Sequence, residues 1–222
     1  ITLNSTGTIT ATSVVSTNNS ASDDNYITLT AIGSSSDILV TTITATGNAD
    51  VTLTADDGIL DTNGADTNRI TADNLMLTSS SAGGTQDGID VDTAVNSVTA
   101  DVNTNAGGIR LDEVDAIILT QVTTVDGFIT VNAGGTIQVL DVNSANSSAS
   151  DTNNGITLTA TGADSDIIVT TLTAQNTADI TLNSDRDVLD SDSADMNLTT
   201  GDLLTIVAGR NIGGITSIFT EA

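Results

Sequence analysis

Apolar and polar residues alternate in short bursts along this chain. ITLTA from Ile27, VTLTA from Val51 and ITVNA from Ile129 place an aliphatic side chain at every second position, with Thr or Asn between. A period of two puts the aliphatic set on one side of an extended strand and the polar set on the other. Clusters such as GSSSD, TGNAD and TNAGG separate the bursts, and Gly, Asn, Asp and Ser are the residues that turn corners. No apolar period of 3.6 residues runs for a useful length, so helices are expected to be nearly absent.

The bursts recur. DILVTTITA (Asp37 to Ala45) returns as DIIVTTLTA (Asp166 to Ala174), and ADVTLTADDGILD at Ala49 returns as ADITLNSDRDVLD at Ala178, both displaced by 129 residues. ITLNSTGTI at Ile1 answers ITVNAGGTI at Ile129, and NSASD at Asn19 answers SSASD at Ser147, at 128 residues. The differences in length fall in polar or Gly/Ser-rich stretches, where a stacked scaffold tolerates insertions. Within this long repeat the alternating runs open at Ile1, Ile27, Val51, Ile70, Ile89, Ile109, Ile129, Ile156, Ile180, Leu198 and Ile215. Counted this way, a long repeat of 129 residues contains six rungs of about 20–27 residues. Units that short cannot bury their own apolar face and must stack on their neighbours. The expected fold is therefore all-β, a right-handed parallel β-helix (β-solenoid), its hand set by the preference of β-crossover-β connections. It forms one continuous domain over residues 1–222, with 1–128 the first long repeat and 129–222 a second, partial one.

Composition narrows the alternatives. The chain has no Pro, Cys, His, Trp or Lys, and its aromatics are Tyr26, Phe128 and Phe219. Two immunoglobulin-like sandwiches would need a buried Trp or Tyr and hairpin connections; regular steps without aromatics favour the solenoid. High charge with few aromatics also marks disordered chains, but 38% of residues are hydrophobic and the β-branched ones fall into bounded runs. The formal charge of −25 with only four arginines excludes nucleic acid and anionic membrane surfaces as partners. No apolar run approaches the length that spans a bilayer. Without an initiator Met or signal peptide, the sequence reads as a mature fragment or an excerpt.

The phrases ITLTATGADSDIIVTTLTA, ADITLNSDRDVLD and GGIRLDEVDAIILTQVTTVDGFITVNAGGTI resemble the repeat regions of giant bacterial surface proteins, the filamentous-haemagglutinin-like and autotransporter-type β-helix adhesins. The resemblance spans essentially the whole chain. It lies in the manner of the repeat, which alternates Ile, Val and Leu with Thr and turns on Gly-Gly or Asp-Gly corners, and in no invariant motif. It implies export, a right-handed β-solenoid, and a role as stalk or adhesive fibre.

Chemistry is sparse. Without His, Cys or Lys most nucleophile and base arrangements are missing, and few aromatics or arginines remain to hold a sugar beside paired carboxylates, so no enzyme is expected. The densest acidic segment, LDSDSADMN with Asp190, Asp192 and Asp195, answers LDTNGADTN with Asp61, Asn63 and Asp66 in the first copy. These six are candidate calcium ligands, because hard cations take six to eight oxygens from loops of this kind; no other cofactor is implied. Asp also suits any turn on a soluble surface. Outward Thr-x-Thr pairs raise ice binding. If the rungs open as counted, Asp90/Asp92 and Arg110/Asp112 break the threonine column, and Arg110 lies one rung from Asp90.

The function expected is a structural repeat segment of an extracellular bacterial filament, stalk or adhesin shaft, stacked end to end on neighbouring repeats or identical subunits. The alternative is an adhesin module that grips a glycan or protein on another cell through its longest corners, Ser16 to Tyr26 and Asn143 to Asn154. Neither nucleic-acid binding nor membrane insertion is expected. Both ends of the sequence interrupt a repeat, which adds the expectation of a longer tandem fibre.

Overall fold

The computed structural model describes residues 1–17, 26–62, 69–80, 88–105, 107–145, 154–191, 198–199, 202–213 and 220–221. Among these the chain is all β, and every strand pairing is parallel. The strands wind as a right-handed parallel β-helix with three strand segments to a turn. No helix of the described residues is long and apolar enough to cross a membrane.

The three faces of this prism follow from the pairing. The first stacks Thr2–Ser5, Ile27–Ala31, Val51–Ala55 and the second half of Ile70–Ser79. On the second lie Ile9–Ala11, Ile38–Val40 and Ile59–Asp61, followed by the start of Ile89–Asn105, then Ile109–Glu113, Ile129–Ala133, Ile156–Ala160 and Ile180–Ser184. The third carries Val14–Ser16, Ile43–Ala45 and the first half of Ile70–Ser79, and further on Ile137–Val139, Ile167–Val169 and Asp187–Asp190. In-register stacking puts Ile89, Ile109, Ile129, Ile156 and Ile180 in one interior column, each at most 1% exposed. Burying each such side chain contributes about 1.5–3 kcal/mol relative to leaving it in water. A thin core repeated along an axis thus replaces the aromatic centre of a globule.

The rung count differs from the expectation. Ile1, Ile27 and Val51 do open strands of one face, but Val51 pairs with Leu75 rather than Ile70. Ile70 pairs with Ile43 on the third face, and Ile89 with Ile59 on the second. The regular openings therefore drift from face to face. Turns measured along the pairings run from 20 residues (Ile109 to Ile129) to 30 (Ile137 to Ile167). Among the described residues, from the segment opening at Ile1 up to the one opening at Ile129 there are sixteen strand segments; at three per turn, the long repeat makes five turns and one third. The physical cause lies in Ile70–Ser79, Ile89–Asn105 and Ile117–Asp126, which run round corners as unbroken strands. Homologous segments consequently occupy different faces: Thr28 is on the first, its counterpart Thr157 on the second.

Buried hydroxyls complete the corners. Thr124 donates to Gly127 O at 2.7 Å, and Ser144 Oγ lies 2.9 Å from that carbonyl and 2.8 Å from Asn154 O. Ser184 Oγ does the same for Ser165 O and Asp187 O. These hydroxyls supply donors to buried corner carbonyls, of which Ser165 O also accepts from Arg186 N at 3.2 Å.

Candidate functional site

The acidic residues gather at the edges of the prism, and there they are structural acceptors. Asp56 Oδ2 accepts from the Gly33 amide at 2.7 Å, and its counterpart Asp185 Oδ2 accepts from Gly162 at 2.7 Å. Asp37 accepts from Gly58 N at 3.0 Å, as Asp166 does from Asp187 N at 3.1 Å. Asp50 accepts from Asn74 N at 3.2 Å, matched by Asp179 and Leu203 N at 3.0 Å. Hydroxyl contacts recur too: Thr41 with Thr62 at 2.9 Å, Thr170 with Ser191 at 2.7 Å. Every bond joins one turn to the next. The same latch thus works on different edges of the prism, because the repeat is offset by a third of a turn. Asp56→Ala and Asp185→Ala are each expected to cost about 1 kcal/mol, the net worth of one such hydrogen bond. Their effects should add within about 0.5 kcal/mol, since distant sites rarely couple; urea melts of the two variants and the double variant measure this.

Of the six candidate calcium ligands, Asp61 and Asp190 are described. Asp61 ends a second-face strand opposite Val40; Asp190, 8% exposed, ends a third-face strand opposite Val169. Asn63, Asp66, Asp192 and Asp195 lie outside the described residues. Among those described, no three acidic side chains group so as to hold a metal ion. Near the second acidic segment the counter-charge is arginine. Arg210 Nη2 donates to Asp187 Oδ2 at 2.7 Å, and Asn211 adds donors at 2.9 and 2.8 Å. Arg186 Nε stands 3.4 Å from both Asp166 and Asp187. The hydrogen bond from Arg210 holds the Asp187 carboxyl below the ordinary carboxylate range. In the first copy Asp57 and Gly58 occupy the places of Arg186 and Asp187, so this cluster belongs to the second copy alone.

One cleft of about 310 Å³ opens on the edge between the second and third faces. Arg69, Asp92, Asp112, Glu113, Asn132 and Thr161 line it. Asp92 and Asp112 are register partners one turn apart, and Asn132 Nδ2 donates to Asp112 at 2.7 Å. Glu113 is 5% exposed. Burial pushes its carboxyl above the ordinary range and nearby Asp115 adds to this, against the hydrogen bonds it accepts from the Val95 and Asp115 amides. No sequence motif singles out Glu113, although its parity with Ile109 and Leu111 marks it as inward-facing.

The outward threonines also sort by face. Thr2/Asn4, Thr28/Thr30 and Thr52/Thr54 continue on the first face to Met76/Thr78. Asp90/Asp92, Arg110/Asp112, Thr130/Asn132, Thr157/Thr159 and Thr181/Asn183 form a column on the second. Arg110 is in register with Asp90, as expected, and its guanidinium carbon stands 5.7 Å from the Phe128 ring centroid. Met76 interrupts the threonines of the first face, and charges interrupt those of the second. The two long corners keep residues 18–25 and 146–153 outside the described set. No protein-family model, curated protein or solved structure matches this chain.

Proposed function

We propose that this chain is a structural repeat segment of an extracellular bacterial filament, stalk or adhesin shaft, and that it catalyses no reaction. The observation behind this reading is the recurrence of the inter-turn latches in both copies, at homologous residues on different edges. Selection for a ligand site would preserve one surface; what recurs here is the joint between turns. A stack in which each turn is ladder-bonded and latched to the next sets length and stiffness, the two properties a shaft supplies. Neighbouring repeats or further copies continue such a stack end to end. A β-solenoid is compatible with this role, and the resemblance to adhesin repeats supports it.

The second reading, a glycan- or protein-binding module, rests on the two long corners; the stem of the second, at Ser144 and Asn154, is pinned by buried hydrogen bonds. Antibodies against the chain are expected to decorate intact cells that produce it, and the purified chain is expected to stay unbound on a glycan array. Labelling only after lysis overturns the shaft reading. Specific array binding, lost when residues 18–25 and 146–153 are trimmed, replaces it with the module.

A further inference from the structure

The cleft holds a carboxyl group that neither the shaft reading nor the corner latches use. Thr93, Glu113, Ala133, Ala160, Ser184 and Ala208 share one register column at the inward end of the second-face strands. Five of the six are small or short; Glu113 alone brings a carboxyl into the interior. Its side chain ties two turns together. Oε2 accepts from Val95 N, on the turn beneath, at 3.0 Å. Oε1 accepts from Val114 N at 2.8 Å and Asp115 N at 3.3 Å, at its own corner. We propose that Glu113 makes this turn a proton-sensitive joint: protonation consolidates the link between its own corner, at Val114 and Asp115, and Val95 on the turn beneath, and ionisation draws water into the cleft and loosens it.

The surroundings decide the direction. Among the described residues, the charged groups around Glu113 are Asp92 from the turn beneath, Asp112 on its own strand and Arg69, which line the same cleft, and Asp115 at its corner. Three carboxylates against one guanidinium oppose a further negative charge. Burial opposes it as well, because a carboxylate is costly to desolvate. The neutral acid keeps an acceptor for the backbone amides and gains a hydroxyl next to Thr93, which is buried beside it.

A carboxyl whose affinity for protons rises on folding favours the folded state below its ordinary value and loses that contribution as pH climbs through the raised value. The melting-temperature gap between the wild-type chain and Glu113→Ala is therefore expected to shrink from pH 4 to pH 7. Alanine already fills this column at Ala133, Ala160 and Ala208, so the variant has a precedent in the fold. Protection of the Val95, Val114 and Asp115 amides, corrected for intrinsic exchange, is expected to fall over the same range in wild type and stay level in the variant. A constant or widening gap, or level protection in wild type, overturns the proposal. If Glu113→Ala fails to fold, the wild type still decides. The chain has only two glutamates, Glu113 and Glu221, so glutamate-selective ¹³C labelling yields two carboxyl titrations. A Glu113 midpoint above that of Glu221 supports the joint; one at or below it ends the idea.

Discussion

Replacing Leu111 by alanine is expected to cost about 2–5 kcal/mol, the range for an emptied leucine site in a packed core. Thr130→Ala, one turn away on the outside of the same face, is expected to stay within about 0.5 kcal/mol. Leu111 is fully buried, stacked between Val91 and Val131. The cavity cannot close readily, because ladder hydrogen bonds hold successive turns at a spacing of about 4.8 Å. Thr130 sits between Arg110 and Thr157 and projects outward. Urea unfolding followed by circular dichroism measures both. Equal losses would mean that the strands turn the other side inward, and the β-helix would fail with them.

At the corners the sign itself is diagnostic. A Cβ on Gly134 would stand 2.2 Å from Val114 O and 3.0 Å from its carbonyl carbon, so backbone must move to admit it. Gly134→Ala is expected to destabilise by about 1–3 kcal/mol, the usual cost of overpacking. A Cβ on Gly7 meets nothing within 4 Å, and its φ lies outside the positive range. Gly7→Ala is expected to stabilise by about 0.4–1 kcal/mol by restricting the unfolded chain. Thermal melts of the two variants should move in opposite directions. Destabilisation of both, or of neither, would show that the corners do not stack one above another.

Much of this was legible from residue order. The parity of Ile109, Leu111 and Glu113 assigns all three to the interior, and the same parity assigns Arg110 and Asp112 to the surface. Asp37 and Asp166, and Asp56 and Asp185, recur at matching places in the two copies. Their task was not legible, since a carboxylate that accepts an amide from the next turn looks in sequence like any solvated turn residue. The arginines of the second copy were visible, yet Arg210, with Asn211, reaches Asp187 from 23 and 24 positions away, across a turn. The candidate cation set shows the same limit from the other side. Asp61 and Asp190 are homologous, but they finish on different faces.

Residue order alone settled which side of each strand is apolar, that the alternating bursts are short and repeated, and that they must stack to hide that side. These are local properties, carried by alternation over a few residues and by what each burst lacks. Only the tertiary structure decided which burst lies above which. Between Ile70 and Ser79 and between Ile89 and Asn105 the chain rounds corners without Gly or any other break in the strand, so nothing nearby records that a face has changed. Lateral pairing is a contact between residues twenty to thirty apart, chosen by the summed fit of whole turns. That choice turned an apparent six rungs into five and one third, and with it moved every homologous surface to a new side of the rod.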